Sequence, residues 1–271
     1  MEAMIGIVCI LIVFILYALS LRGRTGHKGL TALRGWAYAH RGLHTECIPE
    51  NSMAAFRAAI DGGYGAELDV HMMRDRQLAV IHDSSLQRVA GADVRIEDLT
   101  AEDLARYTLG NTQEQIPLFK DVLALFEGKT PLIVELKTAG DNFAALTEAA
   151  CALLDQYHVT YCIESFDPRC IRWLKENRPD VVRGQLAENS LRAKRTSVSL
   201  FLRVVLTNHL EYFLTRPDFV AYKFADRKIF SNFLVRKLWG VQGVAWTLTS
   251  QQEFDTAVQE GWLPIFERFR P

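Results

Sequence analysis

The chain has 271 residues, 49% of them hydrophobic, and carries 31 Lys and Arg against 32 Asp and Glu for a formal net charge of −1. That balance excludes the strongly basic surface expected of a nucleic-acid binder. There is no long charge run and no low-complexity tract to mark a disordered domain.

The first element is an apolar run. Ala3 to Leu21 holds 19 residues with no charge, close to the ~20 needed to cross the hydrocarbon core as a helix. Arg22, Arg24, Lys28 and Arg34 follow, whereas only the amino group and Glu2 precede it. The positive-inside rule then sets the N-terminus outside and the rest of the chain on the cytoplasmic side. A cleaved secretory signal is the competing reading. It requires a basic start, where this chain has Glu2, and only Ala18-Leu19-Ser20 offers a poor cleavage site. The organisation expected is an anchor over 1–22, a basic linker over 23–35 lying along anionic lipid, and one domain over 36–271. Cys9 lies in the anchor. Cys47, Cys151, Cys162 and Cys170 have no CxxC spacing and are few for the length, so free thiols are expected rather than a zinc site or a disulfide framework. That usage fits a reducing compartment.

After Trp36, strand-like and helix-like stretches alternate, which is the pattern of a parallel α/β fold. Eight strands are predicted at Ala37–Arg41, Ala66–His71, Leu132–Lys137, Tyr161–Ser165, Val182–Leu186, Phe219–Phe224, Val244–Thr247 and Pro264–Phe269. Val80-Ile81-His82 is a ninth strand-like run, separated from the second strand only by Arg74-Asp75-Arg76-Gln77. A parallel crossover needs about ten residues or more, so this pair should be an antiparallel hairpin that lifts His82 to a rim. Helices are predicted at Ser52–Ile60, Phe119–Phe126, Asn142–Tyr157, Pro168–Asn177, Arg227–Leu238 and Gln251–Glu260, with a small one near Ala101–Tyr107. Asn189–Arg216 is a long apolar and basic stretch without clear boundaries. Removing the first ~30 residues leaves ~240, which suits a single TIM (β/α)8 barrel of about 250 residues.

Ionisable residues collect in four of the apolar segments: Ala39-His40-Arg41-Gly42, Glu67-Leu68-Asp69-Val70, Val80-Ile81-His82-Asp83 and Val134-Glu135-Leu136-Lys137. Residues two apart on a strand share a face, so Glu67 pairs with Asp69 and Glu135 with Lys137. Carboxylates placed together in a partly buried site repel unless a proton or a cation lies between them, and hard divalent cations such as Mg²⁺ or Ca²⁺ take oxygen ligands of this kind. Two histidines at neighbouring strand ends add the commonest acid and base groups. The pattern is that of a metal-dependent hydrolytic site.

The order and spacing of His40-Arg41-Gly42, Pro49-Glu50-Asn51-Ser52, Glu67-x-Asp69, His82-Asp83 and Glu135-x-Lys137 resemble the glycerophosphodiester phosphodiesterase family, from about Trp36 to the C-terminus. The resemblance implies a TIM-barrel phosphodiesterase that cleaves a glycerophosphodiester to sn-glycerol 3-phosphate and an alcohol. It implies Glu67, Asp69 and Glu135 as ligands of one divalent cation and His40 and His82 as the catalytic pair. Arg41, Glu50, Lys137 and Trp246 are the implied substrate-binding residues. His44 and His71 are further candidates for the mouth of the site, and the amides opening the helix at Ser52 should favour an anion. Trp246-Thr247 resembles the family's Trp-Thr, but Thr249 stands where the family usually has Asn. Glu267 stands in the final strand where the family commonly has Thr-Asp. Two alternatives accompany this reading. One is a lysophospholipase D-like enzyme of the same fold acting on a membrane lipid. The other is a membrane-tethered inactive barrel that only binds. No nucleic-acid partner is expected.

Overall fold

The computed structural model describes residues 1–192 and 199–271. Eight parallel strands close on themselves: β1 (Tyr38–Ala39), β2 (Gly65–Met72), β4 (Leu132–Leu136), β5 (Tyr161–Ser165), β6 (Arg183–Ala187), β7 (Phe219–Lys223), β8 (Gln242–Leu248) and β9 (Trp262–Phe266). Each pairs in parallel with its neighbour, and β1 bonds both β2 and β9, which leaves no parallel edge open. The TIM-barrel expectation holds. So does the hairpin: β3 (Leu78–Val80) runs antiparallel to β2, with Val70 opposite Val80.

Buried side chains form three groups. One fills the space between strands and outer helices. A second plugs the barrel interior around Tyr38, Ile133, Cys162, Phe219 and Val244, and takes Leu30 and Leu33 from the segment before the barrel. A third, with Ile81, Leu86, Ile96 and Leu104, gives the long connection after β3 a small core of its own. That third core fixes the segment carrying His82.

Several boundaries differ from the sequence reading for local reasons. β1 stops at Ala39, because Arg41 and Gly42 both take positive φ (54° and 77°) and turn the chain. A Cβ on Gly42 would lie 2.8 Å from Ala55 Cβ, so this turn requires glycine. β9 begins at Trp262 and ends at Phe266 rather than running to Phe269, since Arg268 also has positive φ. The helix expected over Arg227–Leu238 starts only at Phe230 and continues as a π-helical turn over Leu234–Leu238. Ala101–Tyr107 yields a 3₁₀ turn at Asp103–Arg106. Within Asn189–Arg216, helices span Leu200–Thr207 and Tyr212–Thr215, while 193–198 lie outside the described residues.

Helix α1 (Glu2–Ser20) is long and apolar enough to cross a membrane, with a mean hydropathy of 2.8. The segment after it makes contacts with the barrel. Arg24 Nη2 lies 2.5 Å from Asp218 Oδ2, and Nη2 also donates to the Val181 carbonyl. Leu30 and Leu33 enter the barrel floor. Burial of those leucines ties 23–35 to the barrel.

Candidate active site

The acids come together by strand register. β2 sets Glu67 and Asp69 on one face, and β4 brings Glu135 level with Asp69. Their carboxylates each offer one oxygen within 4.8 Å of the other two. All three residues are buried, at 2%, 1% and 6% exposure for Glu67, Asp69 and Glu135. Burial raises the Glu67 carboxyl well above its usual range, and the charges of Asp69 and Glu135 add to the rise. Burial likewise pushes Glu135 up to about 7 against the pull of Lys137. Burial also works to raise Asp69, but Lys137, His82 and Arg41 outweigh it and hold that carboxyl below its usual range. Lys137 Nζ lies 2.6 Å from Glu135 and 3.0 Å from Asp69, and Arg41 Nε is 3.5 Å from Asp69. Two cations, Lys137 and Arg41, face three gathered carboxylates. This donor set fits a hard divalent cation: oxygen ligands only, gathered on one spot, with an excess of negative charge.

The turn after β1 serves the same cluster. The Arg41 N–H donates to Glu67 Oε2 at 3.0 Å, and Asn51 Nδ2 donates to Asp69 Oδ2 at 2.8 Å. Asn51 adopts φ 53° to do so. Glu50 accepts from Arg41 at 2.8 Å and is gripped by both terminal nitrogens of Arg88, at 2.9 and 2.6 Å. Arg88 then reaches Asp83 at 2.5 Å, so one guanidinium ties the first loop to the His82 segment.

His40 and His82 line one cleft of about 130 Å³ together with Arg41, Glu67, Glu135 and Lys137. Each has a carboxylate on Nδ1. His40 Nδ1 lies 2.7 Å from Glu267 Oε2, and His82 Nδ1 lies 2.6 Å from Asp83 Oδ1. An N–H at Nδ1 donates to the acid and leaves Nε2 as the acceptor, the arrangement that orients an imidazole for proton transfer. His40 Nε2 sits 3.9 Å from Glu67. Burial lowers the pKa of both histidines, and the carboxylates oppose that shift without reversing it. Phe166 and Trp246, in edge-to-face contact with centroids 5.7 Å apart, form an apolar wall of the cleft with Leu186 and Ile265. A larger cavity of about 670 Å³ lies next to the mouth, between the 43–46 loop and the 268–270 tail.

Two expectations change, while His44 lines the larger cavity. His71 does not line the cleft: it is buried, with Nδ1 2.9 Å from Glu97 and Nε2 3.1 Å from the His82 carbonyl, and it braces the loop that carries His82. His44 turns to Glu267, with Nε2 at 3.6 Å. The helix over Met53–Asp61 has its first amides satisfied internally. The Ala54 N–H donates to Glu114 Oε2 and the Ala55 N–H to the Ser52 hydroxyl, so a carboxylate of the chain holds the place of an external anion.

Sequence reasoning missed Glu164, Arg88 and the pairing of Glu267 with His40. Glu164 stands opposite Glu135 in the β4–β5 register and lines the cleft, buried to 1% exposure, with its carboxyl raised by burial and by Glu135. An acid inside a predicted barrel strand was its one available signal. Arg88 and Glu267 left none, since their partners are 38 and 227 residues away.

A family model described as the glycerophosphoryl diester phosphodiesterase family matches residues 40–266. A glycerophosphodiester phosphodiesterase of Caldanaerobacter subterraneus is 29% identical over 163 residues, covering 56% of this chain and 67% of that protein. A human lysophospholipase D is 34% identical over 134 residues, or 44% of this chain and 41% of the human protein. Among solved structures, an Oleispira antarctica phosphodiesterase in complex with the product sn-glycerol-3-phosphate aligns with a TM-score of 0.71 at 19% identity, over 90% of this chain and 95% of that one.

Proposed function

The chain belongs to the glycerophosphoryl diester phosphodiesterase family, and on that premise we propose that it hydrolyses a glycerophosphodiester to sn-glycerol 3-phosphate and an alcohol. The observation that supports this most directly is the cleft itself. Two histidines, each with Nδ1 on a carboxylate, line the same small cavity as the buried acids. One imidazole takes the proton of the attacking hydroxyl as its oxygen bonds to phosphorus. The phosphorus–alcohol bond breaks, and the other imidazole, protonated beforehand, gives its proton to the departing alcohol oxygen. The attacker is water, or the glycerol 2-hydroxyl followed by hydrolysis of the cyclic phosphate. Glu67, Asp69 and Glu135 hold one divalent cation, Mg²⁺ or Ca²⁺, which when bound supplies charge against the phosphate oxygens. Arg41 and Lys137 offer further positive charge to the anionic diester, and Glu50 fixes the Arg41 guanidinium. Trp246 with Phe166 packs on the glycerol side.

A second substrate class, a lysophospholipid, is favoured by the apolar wall of the cleft and by α1. Glycerophosphocholine and lysophosphatidylcholine, each assayed with and without EDTA, separate the readings. Release of glycerol 3-phosphate from the first supports the main proposal. Release of choline from the second alone moves the activity to lysolipid, and turnover of neither leaves a barrel that only binds. The proposal also keeps the segment 1–22, which contains α1, as a retained anchor with the barrel domain on the cytoplasmic side. Protease added to intact cells should spare the barrel. Digestion from outside, or a mature chain lacking the first ~20 residues, refutes that topology.

A further inference from the structure

The flank of the barrel formed by the helices Leu200–Thr207, Tyr212–Thr215 and Phe230–Phe233 is apolar where it meets solvent. Phe201 is 79% exposed, Leu200 68%, Phe233 59% and Phe230 58%. An outer barrel helix buries one apolar stripe and turns polar residues outward. Here the outward side is apolar as well, and contiguous apolar surface on this scale marks a binding face.

Helix α1 joins this face. The Phe14 ring lies 6.3 Å from Phe230, which stacks on Phe233 at 6.5 Å. The Trp239 indole N–H donates to the Ala18 carbonyl at 2.7 Å, and Arg216 donates to the Arg22 carbonyl at 2.6 Å. The last turns of α1 are thus fixed to the flank, and the exposed apolar side chains of both make one surface. The flank is also basic. It carries Arg203, Arg216, Lys228 and Lys237, while Arg227 is paired with the Glu260 carboxylate and Arg236 donates to the Glu260 carbonyl; the acid Glu211 is buried.

We propose that this flank sits in an anionic lipid leaflet, so that the barrel is partly embedded beside α1 instead of hanging from it. The inference rests on the reading of α1 as a retained membrane anchor. Apolar side chains ringed by cations are the chemistry of an interfacial membrane contact, in which rings enter the acyl boundary and cations meet anionic headgroups. A second copy of the chain fits less well, because an isologous contact would set one basic face against another.

The test uses the full chain in vesicles of phosphatidylcholine and phosphatidylglycerol, with and without nitroxide on the acyl chains. A fluorophore is attached to one thiol at a time. Cys47→Ser leaves Cys9 in α1 as the exposed thiol, because Cys151, Cys162 and Cys170 are buried. Phe201→Cys, Phe233→Cys and Lys120→Cys are made in a Cys9→Ser, Cys47→Ser background. Lys120 is exposed and lies on a helix across the barrel, between β3 and β4. Labels at 9, 201 and 233 should lose about half their emission or more to the nitroxide, and the label at 120 should lose none. Quenching at 9 without quenching at 201 and 233 overturns the embedded flank and leaves the anchor standing. Absence of quenching at 9 as well overturns both. Labels at 201 and 233 that ignore the nitroxide but quench one another as protein density rises assign the face to a second copy, which also overturns the proposal.

Discussion

Replacing Glu267 by Gln isolates the contribution of one carboxylate to the proposed proton transfer. Glu267 Oε2 lies 2.7 Å from His40 Nδ1, and the two side chains are only 16% and 15% exposed, so solvent screens the pair weakly. A hydrogen bond to a charged group contributes about 1.5–3 kcal/mol. The carboxylate strengthens its bond when His40 takes a proton, so most of that energy is felt as the imidazolium forms. At 1.36 kcal/mol per tenfold, kcat should fall about 10- to 100-fold. Gln can still accept from Nδ1–H, so the ring orientation and KM should change little. The pH profile adds a readout that misfolding cannot imitate. Burial lowers the His40 pKa, and Glu267 partly restores it. Without the carboxylate, that pKa falls further, so whichever limb of the kcat profile belongs to His40 moves toward acid while the other stays. Glu267→Asp keeps the charge at a longer reach and should recover part of the rate. The assay is steady-state release of glycerol 3-phosphate across pH, with thermal unfolding as the control for folding. A Glu267→Gln enzyme with wild-type kcat and an unmoved profile removes Glu267 from the mechanism.

His40→Ala and His82→Ala should each lower turnover by about 10² to 10⁴, with cation affinity nearly unchanged, and the double variant should lose far less than the product; a variant that loses cation binding along with activity would make that histidine a ligand. Glu135→Gln should abolish calorimetrically measured binding of Mg²⁺ or Ca²⁺ and activity together, and retained binding would remove Glu135 from the ligand set. Glu211→Gln tests stability away from the cleft. Burial pushes the Glu211 carboxyl up to about 8 from 4.5, so the folded state favours its protonated form. Such a group supports the fold fully below pH 4.5 and loses that support as pH rises through 8. The variant should therefore unfold at a higher temperature than wild type at pH 9 and near the same temperature at pH 4, and equal differences at the two pH values would refute the assignment.

How much the sequence determined follows from the range of the interactions involved. The acids at 67 and 69 share a face because a strand has a period of two, and no tertiary information enters that statement. The hairpin was fixed by a four-residue gap too short for a crossover. β5 and the helix at Pro168–Asn177 stand where periodicity and an N-terminal proline placed them. The resemblance over five motifs then carried His40, His82, Glu67, Asp69 and Glu135 into one site, and the closed barrel gathers them there.

Tertiary structure decided the partners. Glu164 entered the cleft through strand register, which sets Asp69, Glu135 and Glu164 side by side on adjacent strands. His71 shares a strand face with Asp69, yet it was drawn to Glu97 and the His82 carbonyl, because a buried imidazole needs hydrogen bonds that only the inserted connection supplies. Glu114 reached across to the helix at Met53 and occupied an amide that sequence alone assigned to a ligand. Arg24 found Asp218 at a distance of 194 residues, so a segment that reads as a basic linker became part of the barrel floor. Each of these outcomes depends on contacts between distant segments, and their geometry exists only after the barrel has closed.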